Sequence, residues 1–108
     1  MKQITPLELL EKIATGADFY LIDVREAFEH EEYNIGGKLM PLSEVISHAT
    51  AIPADKPVIV YCRKGIRSQI AIQRLQEKFG FTNLINLQGG IEHLKTQSDF
   101  DSLGKYAS

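Results

Sequence analysis

Apolar positions change their spacing several times along this chain, and each change marks an element. The run Val58-Ile59-Val60-Tyr61 is apolar and β-branched, which predicts a buried strand. It stops at Cys62. The cationic turn Arg63-Lys64-Gly65-Ile66-Arg67 follows, and from Ser68 the spacing becomes helical, with Ala71, Ile72, Leu75 and Phe79 on one face. Upstream, Phe19-Tyr20-Leu21-Ile22-Asp23-Val24 is nearly continuous in apolar residues, the pattern of a strand covered on both faces of a parallel sheet. Downstream, Leu84-Ile85-Asn86-Leu87 predicts another short strand, and Ile91 begins a further helix that includes Leu94.

Helix signals fill the intervals. Thr5, Pro6 and Glu8 supply an N-cap, a first-turn proline and the partner of a capping box. The predicted helix shows Leu7, Leu10, Ile13 and Ala14 on one face and ends at Gly16. Residues 2–4 predict a short edge strand before it. Residues 27–33 predict a short acidic helix. Gly36-Gly37 is a turn before a brief strand stopped by Pro41. Ser43 caps a short helix carrying Val45, Ile46 and Ala49, and Gly80 ends the helix over 68–79. The last ten residues place Phe100, Leu103 and Tyr106 at helical spacing and are expected to dock on the domain. Strands alternate with helices throughout, so the expected class is α/β with a mostly parallel sheet.

At 108 residues the chain is expected to form one domain over 1–108, with one modest core. Net charge is −2, so no polyanionic partner such as nucleic acid is expected. The charge is unevenly placed. Residues 18–32 hold six acids against one base, whereas no acid lies between Cys62 and Ser68. A local basic turn on a mildly acidic chain suits a small anionic ligand. No apolar run approaches the roughly 20 residues that span a bilayer, so no membrane partner is expected. A single cysteine excludes an intramolecular disulfide, and a reducing cytoplasm is the expected compartment.

That cysteine lies between a strand's C-terminal end and a helix, the edge at which open α/β sheets bind ligands. Helix amides and the macrodipole favour an anion there, and Arg63, Lys64 and Arg67 add full charges. Thiolate, the nucleophilic form of cysteine, is thereby favoured. Gly65 lets successive amides turn inward as an anion nest, and Ser68 suits the helix N-cap. A lone cysteine is often a small buried hydrophobe, but a basic glycine loop directly after it favours the reactive reading. Asp23 and Arg25 end another strand at the same edge. Alone they read as an ordinary solvated turn, and their position makes them supporting candidates. His30, His48 and His93 share no metal-ligand spacing with each other or with Cys62. No metal site and no cofactor are expected, and the histidines read as surface residues. A Cys–His nucleophilic pair stays open at this level.

Cys62-Arg63-Lys64-Gly65-Ile66-Arg67-Ser68 closely resembles the active-site loop of rhodanese-family sulfurtransferases. Ile22-Asp23-Val24-Arg25-Glu26 resembles the family's D-V-R-E strand end, and Leu87-Gln88-Gly89-Gly90-Ile91 its L-x-G-G-I segment. In this order the three are specific and span almost the whole chain. The resemblance implies a rhodanese-like, doubly wound sandwich around a small parallel sheet of about five strands. It also implies that Cys62 takes the outer sulfur of a donor such as thiosulfate, becomes a persulfide and yields the sulfur to cyanide or a thiol. In that scheme the loop from Arg63 to Arg67 binds the donor, and Arg67 either contacts it or fixes the loop by pairing with a carboxylate such as Asp23. Two departures stand out. Asn34 replaces the histidine of the family's G-H-I-x-G, and Leu94 lies nearest an expected tryptophan. Both positions look structural.

Two rivals use the same residues. Cysteine-dependent phosphatases and arsenate reductases carry C-x5-R, a ring sized for a tetrahedral oxyanion, whereas Cys62 to Arg67 is C-x4-R. A sulfur-relay module acting on a protein partner would keep the same loop.

Overall fold

The structure, a computed structural model, describes residues 1–97, so the expectation for Phe100, Leu103 and Tyr106 lies outside the described residues. Five parallel strands form one sheet: β1 (Lys2–Ile4), β2 (Tyr20–Asp23), β3 (Lys38–Leu39), β4 (Val58–Tyr61) and β5 (Leu84–Leu87), in the order β1-β5-β4-β2-β3. The helices are α1 (Pro6–Thr15), α2 (Ala27–Glu32), α3 (Ile66–Phe79) and α4 (Gly90–Leu94), with a 3₁₀ helix at Val45–Ala51. β4 is the central strand. It pairs with β2 through Ile22↔Val60 and Asp23↔Tyr61, and with β5 through Val60↔Asn86.

β4 is buried along its whole length, which explains its unbroken apolar run. Its side chains alternate between two cores. Val58, Val60 and Cys62 join Ala71, Ile72 and Leu75 of α3 and Val45 of the 3₁₀ helix. Ile59 and Tyr61 join Leu9 and Leu10 of α1 and Ile91 and Leu94 of α4. Helices on both faces of a parallel sheet make the doubly wound architecture. Cys62 is therefore the last inward residue of the central strand's alternation.

Several local expectations shift. In α1 the buried face is Pro6, Leu9 and Leu10, while Leu7 is 57% exposed and Ala14 is exposed. The buried face keeps helical spacing but begins one residue before Leu7. The capping box of Thr5 and Glu8 forms, with Thr5 N–H donating to Glu8 Oε1 at 2.8 Å. Ser43 does not cap the next helix: Glu44 occupies that place, and the segment winds as a 3₁₀ helix. Helix α3 starts at Ile66 with Gly65 as its N-cap, so Ser68 lies inside the first turn. Phe79, expected on the core face, is exposed and meets Phe81 edge to face at 6.3 Å.

Candidate functional site

The sulfur of Cys62 sits under the loop that follows it. Its residue is 1% exposed, and Sγ accepts from the amides of Gly65 at 3.1 Å and Ser68 at 3.4 Å. The Ser68 hydroxyl lies 3.4 Å away and also donates to Asn86 Oδ1. Gly65 has φ 91°, a left-handed conformation that turns its own amide back onto the sulfur. The expected inward-facing amides are thus present, with Ser68 acting inside the helix rather than as its cap.

The loop is closed from behind by α4. Ile91 N–H donates to Cys62 O at 2.9 Å, and Glu92 N–H donates to Arg63 O at 3.0 Å. Such close approach needs Gly90: a Cβ there would lie 2.4 Å from Arg63 O. The Gln88-Gly89-Gly90 turn, part of the L-x-G-G-I segment, thereby fastens the cysteine loop to the end of β5.

The charged candidates divide. Arg67 does not reach Asp23. It makes a two-pronged pair with Glu29 of α2, at 2.7 and 3.0 Å, and these hydrogen bonds hold the Glu29 carboxyl down to about 2 from its ordinary 4.5. Asp23, fully buried, instead accepts from Arg25, with Nη2 at 2.8 Å and Nε at 3.0 Å. Arg25 also donates to Tyr33 O and lies 5.5 Å from the centroid of the Tyr61 ring. Burial pushes the Tyr61 phenol well above its ordinary range, and its hydroxyl donates to Gly36 O at 3.0 Å. Arg63 pairs with Glu92 at 3.1 Å on the surface. Lys64 is exposed and has no ion-pair partner among the described residues, and Ile66 beside it is 64% exposed.

His30 was expected at the surface, yet its Nδ1 lies 2.8 Å from Asp23 Oδ2 and its side chain is only 19% exposed. Among the described residues no histidine hydrogen-bonds the sulfur, and no group of His, Cys, Asp and Glu could hold a metal ion. Asn34 is a structural residue: its amide donates to His30 O at 2.9 Å and its Oδ1 accepts from Gly36 at 2.7 Å. A cleft of about 670 Å³ opens beside the loop, with Phe28 and Glu29 of α2 on one wall, Arg63 and Arg67 near the cysteine, and Ile91 of α4 opposite. Cys62 itself does not line it.

Two residues of this site, Glu29 and Asn86, were not singled out from sequence. Glu29 was visible only as part of an acidic stretch opposite in sign to the loop. Asn86 was the one polar residue in an otherwise apolar predicted strand, which is the signal for a buried hydrogen-bonding role. Gly90 was named in the L-x-G-G-I resemblance, but its contact with the cysteine loop carried no signal in the local pattern.

The family model for the Rhodanese-like domain matches residues 5–97. Thiosulfate sulfurtransferase GlpE of Coxiella burnetii is 36% identical over 95 residues, covering 87% of this chain and 87% of that protein. The probable adenylyltransferase/sulfurtransferase MoeZ of Mycobacterium tuberculosis is 37% identical over 91 residues, and the match spans 82% of this chain but only 23% of that longer protein. Among solved structures, a rhodanese-like domain protein from Staphylococcus aureus superposes with a TM-score of 0.80 at 25% identity, covering 87% of this chain and 91% of that one.

Proposed function

The chain belongs to the rhodanese-like domain family, and from that premise we propose that it is a sulfurtransferase in which Cys62 carries the transferred sulfur as a persulfide. The observation that carries this reading is the cradle at Cys62, where the chain's one cysteine receives two backbone amides at the C-terminal end of the central strand. Amides aimed at sulfur stabilise negative charge on it without adding a group that must be deprotonated.

In the proposed first step the Cys62 thiolate attacks the outer sulfur of thiosulfate. The new S–S bond forms as the donor's S–S bond breaks, and sulfite leaves with the bonding electron pair. The protein then holds an anionic persulfide. Cyanide or a thiolate next attacks the outer sulfur, and the Cys62 thiolate is released. In the thiolate the charge sits on Sγ, which these amides meet directly; in the persulfide it moves to the outer sulfur, one bond farther from them. Lys64, unpaired among the described residues, attracts the anionic donor, while Arg63 contributes less because Glu92 offsets it. Arg67 is assigned to fixing the loop, since both prongs of its guanidinium are taken up by Glu29. That assignment also weighs against a phosphatase, which needs its loop arginine turned toward an oxyanion.

Incubation with thiosulfate should add the mass of one sulfur atom to the protein, removed by cyanide with release of thiocyanate. No mass gain, or faster release of phosphate from an aryl phosphate than of thiocyanate from thiosulfate and cyanide, would overturn the reading. A second acceptor class, a cysteine-bearing protein partner, is favoured by the cleft, whose volume of about 670 Å³ far exceeds a small anion and whose wall carries Phe28 at 68% exposure.

A further inference from the structure

Behind the sulfur runs a chain of polar side chains, buried except at its outer end, that the proposed reaction does not use. Ser68 Oγ, 3.4 Å from Cys62 Sγ, donates to Asn86 Oδ1, and Asn86 Nδ2 donates in turn to Gln3 Oε1 at 2.8 Å. Ser68 and Asn86 are almost fully buried. Gln3 and Asn86 are register partners across the β1–β5 pair, so backbone pairing sets their approach. The chain links α3, β5 and β1.

A hydroxyl has one hydrogen and two lone pairs. The Ser68 hydrogen is committed to Asn86, so only lone pairs face the sulfur. In the thiol form the Cys62 S–H donates to Ser68 Oγ. In the anionic forms the sulfur keeps the amides of Gly65 and Ser68 and gains nothing from the hydroxyl. With Gln3 Oε1 accepting from Asn86 Nδ2, the Asn86 amide presents its nitrogen to β1 and its oxygen to Ser68.

We propose that Asn86 is a positioning residue that holds the Ser68 hydroxyl hydrogen away from Cys62 Sγ, so that the sulfur anion faces two amide donors instead of three donors. The consequence is chemical. Each donor on a thiolate stabilises it and lowers its nucleophilicity, so a sulfur that must be both held and passed on benefits from a limited set. The meaning of this device for turnover rests on Cys62 being the sulfur carrier, but the device itself is measurable without sulfur transfer.

The chain has one cysteine, so its S–H stretching band in the infrared or Raman spectrum has a single source. In the wild-type thiol form the band should lie at a hydrogen-bonded frequency. In Asn86→Ala the freed hydroxyl turns toward sulfur, S–H loses its acceptor, and the band should move to the position seen in Ser68→Ala. Alkylation by iodoacetamide, read in its pH-independent plateau, should slow roughly threefold in Asn86→Ala, the drop that a Brønsted slope of about 0.4–0.5 gives per tenfold change in thiol acidity. Because Asn86 acts through Ser68, Asn86→Ala/Ser68→Ala should alkylate at the rate of Ser68→Ala alone. Gln3→Ala, at an exposed edge position, tests the same relay without opening the core and should shift the band in the same direction by less. An S–H band that is identical in wild type, Asn86→Ala and Gln3→Ala would overturn the proposal. So would an Asn86→Ala effect of equal size with and without the Ser68 hydroxyl. If the band shifts as expected but no persulfide forms with thiosulfate, the relay stands and the sulfurtransferase reading fails.

Discussion

The cysteine loop and α2 face each other beside one cleft, and they are held by different forces. Cys62 ends the central strand inside an apolar core, and α4 closes its loop with two backbone hydrogen bonds around Gly90. Helix α2 buries none of its residues. It is tied down by polar groups: Glu29 to Arg67, His30 to Asp23, and Tyr33 O, just past its end, to Arg25. Interior packing and backbone bonds respond little to salt or pH, whereas partly exposed ion pairs weaken with salt and at low pH. The cysteine loop is thus held by forces that salt and acid alter little, and the opposite wall of the cleft by charges that yield to them.

Removing the sulfur has the largest expected effect. Cys62→Ser is nearly isosteric and keeps both amide donors occupied, so it should fold with a thermal midpoint close to wild type, yet it cannot form a persulfide and should lose all sulfur transfer. Retained thiocyanate production in this variant would remove the mechanism. Next comes the back of the loop. Gly90→Ala puts a Cβ against Arg63 O at a φ of 66°, so urea unfolding should show a loss of about 1–3 kcal/mol, and turnover should fall at least tenfold as the loop shifts. An unchanged turnover would mean that α4 does not set the loop, and the contrast between rigid loop and yielding wall would lose its basis.

The wall itself is tested by Glu29. Its folded value of about 2 lies below its ordinary 4.5, so the Arg67 pair contributes stability above about pH 4.5 that is lost as pH falls toward 2. For a pair that is partly exposed the expected contribution is about 1 kcal/mol. Urea unfolding of wild type and Glu29→Gln should differ by that amount at pH 6, with the gap narrowing below about pH 4.5 and closing only near pH 2 and below. A gap that is unchanged at pH 3 would assign the difference to packing. The smallest effects belong to the rim. Lys64→Gln should raise KM for thiosulfate more than it lowers kcat, Arg63→Gln should do so less because Glu92 already faces it, and both effects should shrink with added salt. A salt dependence of kcat/KM identical to wild type in Lys64→Gln would deny the steering role.

Much of this was legible from sequence where one residue's chemistry meets a local period. The unbroken apolar run at β4, the alternation that brings Cys62 inward, the Thr5–Glu8 capping box and the strand at Leu84–Leu87 all follow from local pattern. The misses are of two kinds. The buried face of α1 was read a residue late, leaving Leu7 and Ala14 outside the core, and the start of α3 was read two residues late, so that Ser68 falls in its first turn, while its face of Ala71, Ile72 and Leu75 is as expected. Pairings across elements were not readable. That Arg67 takes Glu29 and leaves Asp23 to Arg25 and His30 depends on where α2 lies above the sheet, and no spacing in the chain encodes that distance.

The sheet order has a consequence for how the protein comes into being. Among the described residues, strand β1, formed by residues 2–4, pairs only with β5, about 80 residues later, and the amides that close the cysteine loop belong to residues 91 and 92. At about 5–20 residues per second, the ribosome takes on the order of ten seconds to travel from the first strand to the last. Throughout that interval β1 lacks its partner strand, and for the last third or so of it the thiol at position 62 has emerged without the cover of residues 91 and 92, so a nascent chain carries its cysteine loop half-assembled until α4 arrives.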